Sequence, residues 1–473
     1  MQAAKKLSPH SAHSKHLAIV VAVTVYASLL GWDRVRTNFA ADDMMNMGQY
    51  FLLGPAKALA AQLLFWKGYY RPMGAAFYLP LYHWFGLNPA PFQAAILALL
   101  AINAIVLYWL AITLGAGEVA AGVAALVAAY PAGLTNLVYK TDMIYDVLCF
   151  LFFTGAALAY AAVRERGRRL DRKQTALFLF LYLCALNSKE MALTMPLVLA
   201  AYEFFYQRRR ARRWTLPAIT AAMAALSFYG KIFGVQALVA NSSYRPEFSL
   251  YRFLKFQKGA LHDLLAQLAT PGWRGVLFLW ALVGFLAWRR NHPLLRFTWA
   301  WMLVTPLPIA FLPDRFQGCL YLPLAGWAIF AAAIAVALAK ALANVLVNEP
   351  IFRRLGRSGV FALLIACAVL LWTNRMRYLK TEVVRPAAAS QGALTARVIG
   401  QLRALNPRVP PGSQVVFRND PFPGWDMTFI GALWFGDRSI HVYNQRQERL
   451  SPGEMQRMDH IFDFENGRLV QVK

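Results

Sequence analysis

Long apolar runs separated by short basic clusters dominate this sequence, and they leave the chain few ways to fold. About eleven runs approach the ~20 residues an α-helix needs to cross a bilayer. They cover residues 17–31, 92–114, 118–134, 143–163, 174–187, 191–206, 214–233, 273–288, 295–312, 318–340 and 358–373. In hydrocarbon each backbone N–H and C=O must be paired within its own segment, so runs of this kind are helices. The chain is 58% hydrophobic, with a mean hydropathy of +0.40, where a soluble domain averages roughly 45–50% apolar. The expected class is an all-α polytopic membrane protein with about eleven transmembrane helices.

The formal charge of +26 does not point to nucleic acid, because the basic residues are not gathered on a soluble domain. They sit in short clusters between apolar runs, the pattern of cytoplasmic loops. With the N-terminus inside, RERGRRLDRK (164–173), QRRRARR (207–213), RRNHPLLR (289–296) and FRRLGR (352–357) all fall on the cytoplasmic side. The opening MQAAKKLSPHSAHSKH is basic and runs into an apolar stretch without a clear small-residue cleavage site. Residues 17–31 therefore read as a retained first span. The expected location is a bacterial inner membrane. Cys149, Cys184, Cys319 and Cys367 lie in or beside apolar segments without paired spacing, which argues against a disulfide framework or a zinc site.

An odd number of spans divides the chain into a membrane domain, 1–373, and an extracytoplasmic tail, 374–473. In the tail, residues 385–405 have helical spacing, QVVFR and SIHVYN are β-like, and IFDFENGRLVQV reads as a hairpin turning at Asn466-Gly467. The tail is expected to be a small α/β module. Two outer loops are long, 32–91 and 234–272. Both mix aromatic and basic residues with apolar ones and suit helices lying along the interface. Residues 44–66 read as one such helix, interrupted at Gly54-Pro55, and Lys57 in its middle argues against a span.

This topology brings five polar groups to the outer face: Asp42-Asp43, Tyr70-Arg71-Pro72, Lys140-Thr141-Asp142, Ser188-Lys189-Glu190 and Asp314-Arg315. A charge at mid-membrane costs roughly 2.5–3.5 kcal/mol, so such residues face a cavity or a partner. Acids and bases at one level suit an anionic substrate gripped by cations, with a carboxylate kept for catalysis. Each group also has a plain structural use. Asp43 suits an N-cap ahead of Met44, and the Tyr70-Arg71 stretch suits an interfacial belt. Lys189-Glu190 suits a local ion pair, and Arg315 a headgroup anchor. Asp142 and Asp146 stand one helical turn apart. His83 and His262 are isolated and read as interfacial or structural.

Three stretches together resemble a known family. They are the Asp42-Asp43 pair followed by YYRPMGAAFYLPLYHWFGLNPAPFQ, then NSKEMALTMPLVLAAYEFF, then DRFQGCLYLPLAGW. Their order and spacing, over roughly residues 17–340, are similar to the C-type glycosyltransferase (GT-C) fold. That fold occurs in protein O-mannosyltransferases, the lipid A aminoarabinose transferase and oligosaccharyltransferases. The nearest resemblance is to the membrane part of transmembrane tetratricopeptide-repeat mannosyltransferases. The resemblance implies an inverting transfer of sugar from a polyprenyl-phosphate donor to a protein, lipid or glycan acceptor at the extracytoplasmic face. It implies a catalytic first-loop acid, Asp43 or Asp42, with Asp43 slightly favoured. Arg71, Lys189 and Arg315 would hold the donor phosphate, Glu190 would orient Lys189, and Tyr70, Asp142 and Asp314 would support the site. Some relatives bind a divalent cation (Mg or Mn) through the first-loop acid, although no His or Cys cluster here requires one. The chain departs from the family at Asp314, where Glu is usual, in the two residues before Leu320-Tyr321, and in lacking a tetratricopeptide repeat. The competing classes are a transporter or flippase for an anionic or lipid-linked substrate and a scaffold displaying the tail. Paired broken helices at the membrane midplane, which would favour a transporter, are not evident in the sequence.

Overall fold

The computed structural model describes residues 9–207, 212–313, 315–448 and 450–473. Asp314, one of the expected site residues, lies outside them. In chain order the helices are α1 (Pro9–Gly31), α2 (Ala41–Leu53), α3 (Pro55–Leu63), α4 (Gly74–Phe85), α5 (Pro89–Thr113), α6 (Glu118–Ala129), α7 (Ile144–Glu165), α8 (Arg172–Ser188), α9 (Met195–Tyr206) and α10 (Thr215–Phe233). They continue with α11 (Leu250–Leu264), α12 (Trp273–Arg289), α13 (Pro293–Val304), the single turn α14 (Leu307–Ala310), α15 (Tyr321–Leu346), the single turn α16 (Pro350–Arg353), α17 (Gly356–Leu379), α18 (Arg385–Leu405) and α19 (Asp426–Phe435).

A helix overlaps each of the apolar runs, but they differ in length. Among the described residues, six helical stretches are long and apolar enough to cross a membrane: Ser14–Arg36, Pro89–Thr113, Ile144–Glu165, Thr215–Phe233, Gln317–Leu346 and Gly356–Leu405. By contrast α6, α9 and α13 have 12 residues each. At 1.5 Å per residue these reach only ~18 Å of a ~30 Å hydrocarbon core. The surface carries large apolar side chains in the open: Leu29, Phe228, Phe278, Phe285 and Leu371 are all exposed. Such an exterior is unfavourable in water and suits contact with lipid, so the chain is a membrane protein.

The bundle is centred on α5, α6, α7 and α15. Ala121, Ala124, Ala125 and Ala128 on α6 are fully buried, and small side chains let helix backbones approach closely. In the first loop the expected break falls between α2 and α3 at Gly54, whose φ of +80° only glycine adopts freely. Further on, the 65–68 turn lies directly on α10. A Cβ on Gly68 would stand 1.9 Å from the Gly230 carbonyl oxygen.

The tail forms a four-stranded sheet of β1 (Gln414–Arg418), β2 (His441–Asn444), β3 (His460–Glu465) and β4 (Arg468–Gln471), in the order β2-β1-β3-β4. β1 runs parallel to both neighbours, and β3-β4 is the expected hairpin. Asn466 and Gly467 at its turn have φ of 48° and 76°, as the primed hairpin turns require. The helix α18 was expected; α19 was not. α19 packs over the sheet, with Gly431 against Phe417 and Val442, and also onto the first loop, with Phe429 against Gly48 of α2. Arg438 Nε donates to the Phe51 carbonyl at 2.6 Å, and the Tyr82 hydroxyl donates to the Leu433 carbonyl. Asp33 receives Lys380 at 2.7 Å and Arg385 at 2.9 Å. The module is thus docked on the first loop and does not hang as a free tail.

Candidate functional site

α8 ends where Lys189 adopts an extended backbone (φ −155°, ψ 150°), and a 3-10 turn over Glu190–Thr194 follows. This kink aims the two neighbouring side chains apart. Lys189 Nζ pairs with Asp146 Oδ2 of α7 at 2.7 Å. Glu190 instead takes Arg71, with Nη2–Oε2 at 2.9 Å and Nε–Oε1 at 3.3 Å. It also takes Lys231 Nζ of α10 at 3.6 Å. Glu190 therefore does not orient Lys189, as expected from adjacency; Asp146 does. Arg71 holds a left-handed backbone (φ 41°), which is unfavourable for a residue with a Cβ. Three contacts fix it there: the Glu190 fork, an Nη1–H bond to the Tyr70 hydroxyl at 2.8 Å, and a Tyr50 O–H bond to the Arg71 carbonyl at 2.8 Å. Burial alone would raise the Glu190 carboxyl, but Arg71, then Lys231 and Lys189, hold it well below the usual carboxylate range. Burial alone would likewise lower the Arg71 guanidinium, yet Glu190 and its neighbours keep it firmly charged.

These residues form one end of a cavity of about 510 Å³. Among the described residues Arg71, Lys189, Lys231 and Arg315 are the cations that line it. Arg315 lies over the Tyr244 ring, 4.2 Å from its centre, and Tyr244 accepts a 3.3 Å bond from Arg71. The remaining wall is apolar and includes Leu197, Phe228, Phe248 and Leu307, each exposed on the outer flank of the bundle. The cavity therefore joins a cationic end to a lipid-facing apolar side.

A second cluster of opposite sign stands beside it. Asp43 is the third residue of α2, not its N-cap, and is wholly buried. Its Oδ2 accepts from the Ala40 N–H at 2.7 Å and its Oδ1 from the Asp142 N–H at 2.6 Å. Asp42 is the accessible member of the pair, with its side chain 56% exposed and its Oδ2 3.1 Å from Lys140 Nζ. Lys140 also lies 3.9 Å from Asp142 Oδ2. Burial and the neighbouring Asp43 push the Asp142 carboxyl up to about 8, and burial raises Asp43 as well. Arg34, unremarked in the sequence, builds this corner. It is buried and donates to Gln93 Oε1 and to the Leu137 and Lys140 carbonyls at 2.6–2.7 Å.

The two clusters are linked through α7. Asp142 touches Asp43, and Asp146, four residues later and ~6 Å along a helix, touches Lys189. Tyr145, between them in sequence, bonds Asn46 of α2 and lies 3.0 Å from the Tyr50 hydroxyl. The structure thus brings Arg71, Lys189, Arg315, Tyr70 and Glu190 together; Asp42, Asp43 and Asp142 form a separate cluster around Lys140, and none of the three lines the cavity. Lys231 was missed. Its signal was available, since a lysine inside an apolar run is costly and marks a partner or cavity.

The acid cluster already holds a cation of its own. The Lys140 ammonium already stands between Asp42 and Asp142, and both Asp43 oxygens are taken by backbone N–H groups. Among the described residues there is no group of three His, Cys, Asp or Glu side chains placed to hold a metal. Chemically, the arrangement can hold an anion on an apolar tail in the cavity and present the Asp42 carboxylate to a proton donor nearby.

No protein-family model matches the chain, and comparison with curated proteins gives no match.

Proposed function

We propose that the chain is an integral membrane glycosyltransferase that moves a sugar from a polyprenyl-phosphate donor to an acceptor at the extracytoplasmic face. One observation carries this reading: four cations gather at one end of a cavity whose other walls are apolar and reach the lipid-facing flank. A phosphate on a polyprenyl chain has that same division of polarity. In this reading the chain crosses the membrane about eleven times, with the short helices extended by their flanking turns. The N-terminus is cytoplasmic and the C-terminal module is outside, as the basic loops require.

Asp42 is the better candidate for the catalytic carboxylate, because Asp43 is enclosed and its oxygens are occupied. Asp42 accepts the proton of the acceptor hydroxyl as its oxygen bonds to the anomeric carbon. The bond from that carbon to the phosphate oxygen breaks, and its electron pair leaves with the lipid phosphate. A single displacement inverts the anomeric centre. The phosphate carries more charge as it leaves, and Arg71, Lys189, Lys231 and Arg315 are fixed in advance to meet it. Glu190 and Asp146 hold three of these cations in position.

The test uses the full chain in detergent with a polyprenyl-phosphate radiolabelled sugar, scoring release or transfer of label. Asp42→Asn should lower turnover about 10³-fold, the middle of the range for a general base, with an unchanged melting temperature. Arg71→Ala should lower it about 10²–10³-fold, as for a lost transition-state cation. Full activity in both variants would end the reading. Uptake into vesicles without transfer would favour the transporter class instead.

A further inference from the structure

The four cations that line the cavity are not equally committed. Arg71 and Lys231 share the Glu190 carboxylate, and Lys189 is paired with Asp146. Arg315 lines the same cavity, is half-buried, and has no carboxylate partner among the described residues. Its Nη2 stands 3.4 Å from the Ser243 carbonyl oxygen, a marginal bond. What holds it is the Tyr244 ring. Arg315 stands 4.2 Å from the ring centre and Arg71 5.9 Å. An aromatic face attracts a cation without cancelling its charge. Four cations against Glu190 and Asp146 therefore leave two positive charges over, and one of them is carried by Arg315.

That surplus selects between two ligands of nearly the same shape. A sugar joined to a lipid phosphate is a phosphodiester and carries one negative charge. Once the sugar has left, the lipid phosphate is a monoester, which carries about −1.5 to −2 at pH 7 because its second pKa is about 6. We propose that the cavity is matched to the monoester, a phosphate dianion on a single apolar chain, and that Arg315, positioned by Tyr244, recognises the second charge. The apolar chain leaves along Leu197, Phe228, Phe248 and Leu307, which open to the flank of the bundle. The spent carrier then binds more tightly than the loaded donor and competes with it. Naming the monoester as spent carrier rests on the glycosyltransferase reading; the preference for a dianion rests on the charges alone. Such a preference is also what catalysis requires, because the phosphate gains charge as its bond to the sugar breaks.

The test is calorimetric titration of the detergent-solubilised full chain with farnesyl phosphate and with its methyl ester, which keeps the chain and loses one charge. The monoester should bind about 10–100-fold more tightly, the effect of one charge-assisted contact. Arg315→Gln should remove most of that preference by weakening the monoester and sparing the methyl ester, and Arg315→Lys should restore part of it. Tyr244→Leu should lower the preference about threefold, as for one lost cation–π contact, whereas Tyr244→Phe keeps the ring and should keep the preference. Equal affinities for the two esters overturn the proposal, and a preference that survives Arg315→Gln overturns the role of Arg315. Inorganic phosphate bound as tightly as farnesyl phosphate overturns the tailed ligand. Dioleoyl phosphatidic acid displacing farnesyl phosphate on equal terms overturns the single chain. Donor turnover is read separately, and farnesyl phosphate should inhibit it at lower concentration than the methyl ester does. A chain that prefers the monoester but transfers no sugar keeps the selectivity and loses the glycosyltransferase reading. A chain that transfers sugar yet binds the two esters alike does the reverse.

Discussion

In the cavity, Arg71, Lys231 and Lys189 gather around Glu190 and Asp146; beside it, Asp42 and Asp142 gather around Lys140. The two regions use one device with the signs exchanged. A central counter-ion holds several like charges that would otherwise repel, and each group keeps a surplus of one sign. The cavity is left cationic and the neighbouring cluster anionic. Burial makes both arrangements costly to break, because a buried charge that loses its partner keeps its desolvation penalty. The regions differ in access. The cavity is open along an apolar flank, whereas Asp42 is solvent-exposed outside it, close enough to the module to act electrostatically on Asp426. The contrast teaches that a cationic and an anionic environment are kept apart within one fold, joined through the turn from Asp142 to Asp146 and through Tyr145.

The comparison breaks most severely if its anchors are removed. Glu190→Gln leaves Arg71 and Lys231 buried without their counter-charge, and should cost about 3–5 kcal/mol of stability, the usual loss on breaking a buried pair. Thermal unfolding in detergent measures this, and an unchanged melting temperature would show that Glu190 is no anchor. Lys231→Met keeps the volume and removes one cation of four. Donor affinity should weaken about tenfold, roughly the 1.4 kcal/mol of one lost charge-assisted contact, with the fold intact. A pH series sharpens the anionic side and has the smallest effect. Asp142 titrates near 3.8 when unfolded and is pushed up to about 8 in the fold. A raised carboxyl stabilises the fold while protonated, and this contribution is lost as pH rises from about 4 through about 8. The melting temperature should therefore fall over that window more steeply in the wild type than in Asp142→Asn. Parallel curves would remove Asp142 from the account.

Much of the frame was readable in the sequence because it is locally encoded. The Gly54-Pro55 break, the Asn466-Gly467 turn and the helix over 385–405 each follow from the backbone preferences of a few adjacent residues. The helix α19 was not readable. Its sequence, DMTFIGALWF, is short and apolar nearly all round, because it packs on the sheet and on α2 at once, so no helical period stands out. The site was half readable. Arg71, Lys189 and Arg315 were expected to share a pocket, and they line one cavity. Their pairing was misjudged, because Lys189 and Glu190 are neighbours in sequence but point to different partners across the kink at the end of α8. Which of Asp42 and Asp43 is enclosed also lay beyond sequence. It depends on which of two adjacent side chains faces the Asp142 backbone.

By itself the sequence determined that this chain enters a membrane as helices, because the transfer free energy of an apolar run is a sum over residues next to one another. Only the tertiary structure decided which charge meets which. Glu190 finds Arg71 from 119 residues away and Asp146 finds Lys189 from 43 away. Contacts of that range depend on how whole helices pack, and no local preference encodes them.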